Sequence, residues 1–325
     1  MTTQRATVDR WHPDLMVIAR AARIIKKGGL VAFPTETVYG LGADALNPEA
    51  VGKIYEAKGR PSDNPLILHV DCIAQAMRVV HTNTAAEKLM MKFWPGPLTC
   101  VLPAKTAVVP SVTRGGLDTA AVRMPDNVIA LALIREAGTP IAAPSANLSG
   151  RPSPTDAESV MADMNGRIDM VIDGGSGRVG IESTVIDLTN PLRAVLLRPG
   201  GLGREAIEET LGMRLAAPDE TGAKRSPGTR YRHYAPSIPV KVWRRTEDFP
   251  ECDYSSAGYI GVHEPAHKTA EAVLCEDFAG YSRKLFAVFR RFEAKGFSCI
   301  IAEWPDEDSG ICEGLRDRII RAAMD

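Results

Sequence analysis

Short apolar runs recur along this chain, and several are separated from the next by a segment whose apolar residues fall at helical spacing. LVAF (30–33), LILHV (66–70), LTCVL (98–102), TAAVRM (119–124), IAAP (141–144), MVID (170–173), STVIDL (183–188) and AVLLR (194–198) read as buried strands. Residues 14–27 put Leu15, Ile18, Ala22 and Ile25 on one helical face and stop at Lys26, Lys27 and Gly28. Segments 48–57, 84–93 and about 127–137 read as helices as well. Such alternation predicts an α/β domain built on a twisted sheet of mixed direction, with helices packed on it.

The pattern changes after Gly212. Residues 213–239 are rich in Pro, Gly, Thr and charge and carry little periodicity, the composition of a linker. It is long for an ordinary connection, and long segments of that kind often serve as lids. Beyond it, VKVW, GYIGV, a helix at 281–295 with Leu285, Phe289 and Phe292 on one face, CIIAE and a helix at 313–323 predict a smaller α/β unit. The expected division is 1–212, a linker or lid at 213–239, and an accessory domain at 240–325.

Composition limits the function classes. A formal net charge of −1 gives no global basic field for nucleic acid or an anionic membrane, so any anion site must be local. The 6 cysteines form no CxxC pair, which argues against a zinc ribbon or a thioredoxin-like motif, and points to a reducing compartment. The N-terminal MTTQRATVDRWHPDL has no apolar signal-peptide core, and no run approaches the length of a membrane span. A cytoplasmic protein without a membrane partner is expected.

Between Phe33 and His69 lie FPTETVYGLG and AKGRPSDNPLILH. Lys58, Arg60, Ser62 and Asn64 occupy every second position of a loop between two expected buried strands. Fixed cations and short donors suit a triphosphate, although a lone KxR is more often a solvated loop. Other loops at strand ends reinforce it. Arg123, flanked by apolar strand residues, needs an anionic partner from either the protein or a ligand. APSANLSGRPSPT carries Ser145, Asn147, Ser149, Ser153 and Thr155, either a hydrogen-bonding surface or a plain turn cluster. GIESTVIDL brings Ser183 and Thr184, and LLRPGG brings Arg198. His69 follows PLIL and is either a satisfied strand-end residue or a ligand contact.

Two tempting motifs fail on physical grounds. GSGRVG (175–180) matches the dinucleotide fingerprint, but the strand-like IESTVIDL follows where a helix is required. HEPAH (263–267) matches a zinc-protease pattern, but Pro265 breaks the helix that would put both histidines on one face. There is no GxSxG and no GxxxxGK[ST] phosphate loop.

PTETVYGLG, KGRPSDNPLILH, PGPLT (95–99), AVRMP, PSANLSG, IESTVIDL, LRPGG and SPGTRYRHYAP, in that order over about 16–236, resemble the threonylcarbamoyl-AMP synthase family in its longer two-domain form. GLRDRIIRAA fits that family's accessory domain, and no departure appears at these positions. The resemblance implies a YrdC-like twisted mixed sheet followed by a smaller Rossmann-like domain. It implies a nucleotidyltransferase, an L-threonylcarbamoyladenylate synthase, that makes threonylcarbamoyl-AMP and pyrophosphate from L-threonine, bicarbonate or CO2, and ATP. A partner transferase complex then acts on the adenosine next to the anticodon, so tRNA is met only indirectly. By resemblance Thr37, His69, Arg123, Ser145 and Ser183 hold threonine. Lys58, Arg60, Asn64, Thr119, Asn147, Ser153, Arg198 and Tyr234 hold ATP, with Lys58 and Arg60 placed closest to the chemistry. Mg2+ is expected to arrive with ATP, without a dedicated protein metal site. Tyr231, His233 and Tyr234 of the linker would form a lid.

Two other readings fit parts of the chain. A carbamoyl transferase of the hydrogenase-maturation type contains a related domain, but is much longer and carries CxxC motifs absent here. A non-catalytic module for double-stranded RNA would use a concave basic face, which a near-neutral charge disfavours.

Overall fold

The computed structural model describes residues 2–218, 234–308 and 310–324. Its first sheet is assembled from β1 (Gln4–Thr7), β2 (Val31–Phe33), β3 (Gly40–Asp44), β4 (Ile67–His69), β5 (Leu98–Pro103), β6 (Thr119–Arg123), β7 (Ile141–Ala142), β8 (Met170–Asp173), β9 (Thr184–Asp187) and β10 (Val195–Arg198). Their order is β1-β8-β2-β3-β7-β4-β6-β5-β9-β10. Direction is mixed: β4 pairs parallel with β6 and β5 with β9, whereas β5–β6, β4–β7, β2–β3 and β9–β10 are antiparallel. The helices are α1 (Leu15–Lys26), α2 (Pro48–Lys58), α3 (Ile73–Val79), α4 (Thr84–Phe93), α5 (Val128–Ala137), α6 (Ala157–Met164) and α7 (Arg204–Leu211).

Local chemistry accounts for several helix ends. The Asp14 side chain accepts from the Met16 amide to start α1. Asn47 accepts from the Glu49 and Ala50 amides, Pro48 opens α2, and Gly59 closes it in the left-handed region at φ 60°.

The two faces of this sheet are used differently. One packs a continuous core in which Leu68, Cys100, Val122 and Ile186 meet α2, α3 and α4. On the other face, the half holding Val31, Phe33, Ile141 and Ile172 is packed by Ile18, Ile25, Ile129 and Leu133 of α1 and α5. The second half of that face carries Ile67, Val101, Ala121, Val185, Val195 and Leu197, and no described helix contributes to this cluster. These six side chains are nonetheless buried, so this half of the face is an apolar floor leading to the polar strand ends beside it.

A second, parallel sheet follows, of β11 (Val240–Trp243), β12 (Ala257–Gly261), β13 (Glu271–Leu274) and β14 (Cys299–Glu303) in the order β11-β14-β12-β13. Helices α8 (Phe278–Ala294) and α9 (Gly310–Ala323) accompany it. Leu285, Phe289 and Phe292, expected on one face of α8, are fully buried with Ile300, Leu315 and Ile319. Val38, Ile181 and Tyr234 join that same core, so the two units share apolar packing. The GSGRVG segment leads into β9 rather than a helix, and HEPAH follows β12 as an irregular loop, with His263 Nδ1 2.6 Å from Glu303. Among the described residues no helix is long and apolar enough to cross a membrane.

Candidate active site

Strand alternation sorts this second half of the face. His69 and Ile67 of β4 point the same way and pair in register with Arg123 and Ala121 of β6. Thr119, two alternations upstream, shares that face at the opposite end, about 13 Å away at 3.3 Å per residue. Val101 pairs with Ala121, so the apolar floor lies between a polar end at His69 and Arg123 and the far end at Thr119.

At the polar end a cleft is lined by Thr37, Arg60, His69, Arg123, Ser145, Glu182, Ser183, Arg198 and Tyr234, among others. Three arginines thus face it against one lining carboxylate, an arrangement built for anions. Arg123 is fixed on three sides: its Nε donates to Gly96 O (3.2 Å), Nη1 donates to Thr37 Oγ1 (3.0 Å), and Nη2 lies 2.7 Å from Glu36 Oε1. The anion that Arg123 requires is therefore supplied by the protein, while the fork keeps further N–H groups for a ligand. Thr35 Oγ1 bonds Thr37 Oγ1 at 2.8 Å, which orients the hydroxyl that meets Arg123. Opposite, Arg198 Nη2 donates to Ser183 O (2.9 Å), and Ser183 Oγ lies 2.8 Å from Thr99 Oγ1.

His69 is held neutral. Burial first, and then the Arg123 charge, push its imidazole down to about 3. Its Nδ1 is buried without a hydrogen-bond partner among the described residues, leaving one ring nitrogen for a ligand. Burial also lowers Arg60, to about 10, so it stays cationic at neutral pH. Arg60 Nη2 donates to Pro65 O at 3.2 Å, and its Nε has no partner among the described residues.

The remaining expected residues divide. Lys58 does not line the cleft: its Nζ donates to Ser145 O (2.6 Å) and Asn147 O (2.5 Å), bracing the Ser145–Asn147 turn from behind. Burial first, then Arg60, holds that ammonium well below the usual lysine range. Asn147 Nδ2 donates to Leu148 O and Arg151 O, while its Oδ1 is left without a partner among the described residues. Asn64 is fully buried beside the cleft, with its carbonyl accepting from Tyr55 Oη at 3.1 Å. Ser153 Oγ donates to Glu182 Oε1. Tyr231 and His233 lie outside the described residues; Tyr234 is described and lines the cleft.

Sequence reasoning misses Glu36 and Glu182. Each sits inside a conspicuous motif, next to Thr37 or Ser183, but a carboxylate in an anion site draws attention only when its cationic partner is known. Glu182 is buried, with a small exposed edge on the cleft. Burial pushes its carboxyl up, but Arg318, Arg198 and the Ser153 hydrogen bond outweigh this and hold it below its usual value.

The family model described as "Telomere recombination", for the Sua5, YciO and YrdC proteins, matches residues 23–200. A second, for the threonylcarbamoyl-AMP synthase C-terminal domain, matches 202–324. The threonylcarbamoyl-AMP synthase of Pyrococcus abyssi is 45% identical over 334 residues, covering 98% of this chain and 96% of its own length. The chain belongs to the threonylcarbamoyl-AMP synthase family. Another member, from Bacillus subtilis, is 45% identical over 94% of this chain and 92% of its own. The crystal structure of P. abyssi Sua5 complexed with L-threonine superposes with a TM-score of 0.90 at 43% identity, covering 99% of this chain and 98% of the other. Among threonylcarbamoyl-AMP synthases, then, this chain has the two-unit form: both family models match along it and meet near residue 201.

Proposed function

We propose that this chain condenses L-threonine, bicarbonate or carbon dioxide, and ATP into threonylcarbamoyl-AMP and pyrophosphate, for a partner transferase that modifies tRNA next to the anticodon. The observation that carries this reading is the convergence of Arg60, Arg123 and Arg198 with His69, Ser145 and Ser183 at one end of an apolar sheet face to which no described helix contributes, in a member of this family. The P. abyssi protein was solved with L-threonine, which supports assigning threonine to Thr37, His69, Arg123, Ser145 and Ser183. Arg123 would clamp the carboxylate through its open N–H groups. ATP would lie along the floor, its phosphates at Arg60 and Arg198 with Ser153 beside them, its base over Ile67, Val101 and Ala121 towards Thr119. Asn147 Oδ1 is an acceptor nearby, and Lys58 contributes by bracing the turn that carries it.

The threonine amine takes up carbon dioxide as a carbamate and releases a proton. A carbamate oxygen then attacks the α-phosphorus in line, and the bond to pyrophosphate breaks. With its imidazole held down to about 3, His69 is a neutral hydrogen-bonding group and a poor base. Rate enhancement then rests on positioning and on arginine charge at the phosphates. Magnesium fits here as an ion carried by the nucleotide. Among the described residues no three His, Cys, Asp or Glu side chains gather as a metal site, and Glu36 and Glu182 are both engaged by arginines. Bound to the phosphates, the ion would offset their charge. In this scheme the chain meets tRNA only through its partner.

The test is pyrophosphate release by the purified chain. Release that requires threonine, bicarbonate and ATP together is expected. Release with threonine omitted, or strong RNA binding with no release, would overturn the reading.

A further inference from the structure

Helix α9 of the second unit lies almost backbone to backbone against the turn that closes the cleft wall. A Cβ on Gly314 would sit 2.9 Å from Gly200 Cα, and one on Gly310 would sit 2.5 Å from Gly203 Cα. Only residues without side chains permit that approach. One turn beyond Gly314, the helix delivers Arg318, the largest fully buried side chain of the molecule among the described residues.

Its contacts reach the cleft. Arg318 Nε lies 2.6 Å from Glu182 Oε2, whose other oxygen accepts from Ser153. Nη1 donates to Pro199 O at 3.1 Å and to Asp317 Oδ2 at 2.5 Å. The guanidinium carbon stands 5.0 Å from the centre of the Tyr234 ring, which stacks on Phe286 of α8 at 5.6 Å. Tyr234 is the one non-glycine residue with positive φ among those described, at 71°. A bulky residue held there stores strain that its surroundings must oppose. Arg318 and Phe286 both pack against its ring.

Stability alone explains this arginine poorly. Replacing a buried ion pair with apolar side chains of similar volume is often neutral or favourable, so the pair is weak evidence for a stabilising role. Its Nη2 is also buried without a partner among the described residues, which is costly in a purely structural contact. We propose that Arg318 is a positioning residue for the nucleotide half of the cleft, holding Glu182, Ser153 and Tyr234 where ATP needs them. The second unit thereby supplies part of the support for the first unit's site. This rests on the assignment of Ser153 and Tyr234 to ATP.

The experiment compares Arg318→Met, Arg318→Lys and the double variant Arg318→Met/Glu182→Gln in the full chain. ATP affinity is measured by calorimetry without turnover, and KM for each substrate by pyrophosphate release. Arg318→Met is expected to weaken ATP binding roughly tenfold, about 1.4 kcal/mol. KM for threonine should stay within about twofold, since the threonine end makes no contact with Arg318. Arg318→Lys, keeping the charge, and the double variant, removing the stranded one, should each recover part of the loss. Unchanged ATP affinity in a folded Arg318→Met protein would overturn the proposal. So would equal losses for both substrates that track the folded fraction in thermal unfolding. If Arg318→Met does not fold, the same two criteria are applied to Arg318→Gln, which keeps a polar side chain but loses the charge. A wild-type chain that binds ATP but releases no pyrophosphate would sink the proposed reaction, while the binding comparison would still decide Arg318's role.

Discussion

Arg123 and His69 are register partners at the ends of parallel strands, and the arginine's charge adds to burial in keeping the imidazole neutral. The arginine is anchored by Glu36, and the imidazole beside it stays neutral. That neutrality has a pH signature. The folded state keeps His69 unprotonated down to about 3, whereas the unfolded imidazole binds a proton near its ordinary 6.5. Below 6.5 the unfolded state therefore binds more protons. His69's contribution to stability is complete above 6.5 and is lost as pH falls towards about 3. Thermal unfolding followed from neutral pH down to about 4 should show the wild type losing stability more steeply than His69→Gln. Parallel curves would exclude His69 as the cause. At this scale the sequence was legible by residue type: Arg60, Arg123, Ser183 and Arg198 do converge. It was illegible where a role depends on a distant partner. Nothing near Lys58 in the chain says that its ammonium will cap the carbonyls of Ser145 and Asn147, and nothing near Glu182 points to Arg318.

Strands with β-branched or apolar runs, such as β8, β11 and β14, carry their own signal and read directly from the chain. Strand β3 does not, because GLGAD has low strand propensity. Gly42 is there because a Cβ would come within 2.7 Å of Phe33 and 2.8 Å of Ile141, so tertiary packing overrides local preference. Helices α3 and α7 lack a side-chain cap hydrogen bond at their starts, unlike α2 and α5, which open on Asn47 and Asn127. Two glycines within helices now predict opposite outcomes. A Cβ on Gly52 in α2 would meet nothing within 4 Å, so Gly52→Ala should stabilise by about 0.5–1 kcal/mol. Gly314→Ala in α9 would press on Gly200 and Ile181, at 2.9 and 2.7 Å, and should destabilise by about 1–3 kcal/mol despite alanine's better helix propensity. Chemical denaturation of both variants checks the pair; the same sign for the two would refute the packing account.

The two units close on one another through unlike contacts. Val38 and Ile181 enter the second core, Arg290 reaches Asp163 at 2.8 Å, and Arg318 reaches Glu182. A change of composition near residue 212 was readable, but the dependence of one unit on the other was not, since it is built from residues on both sides of it. The Glu182 carboxyl is held below its usual value in the folded chain. Its support is therefore present above about 4.5 and lost as pH falls through the lower, folded value. Acid should thus loosen the contact between units, seen as cleavage by an acid-tolerant protease, and Glu182→Gln should flatten that dependence. Identical profiles for the two proteins would remove Glu182 from the account.

The Glu182–Arg318 contact also has a timing consequence. The partners are 136 residues apart, so at about 5–20 residues per second a ribosome needs roughly 7–27 s to add the second after the first. Throughout that interval the emerging first unit carries an acidic side chain whose ion-pair partner has not yet been synthesised. Water must solvate it in the meantime. On the proposed role of Arg318, the wall of the cleft sets only when the growing chain has reached α9, and until that moment a nascent polypeptide would hold the proposed nucleotide weakly.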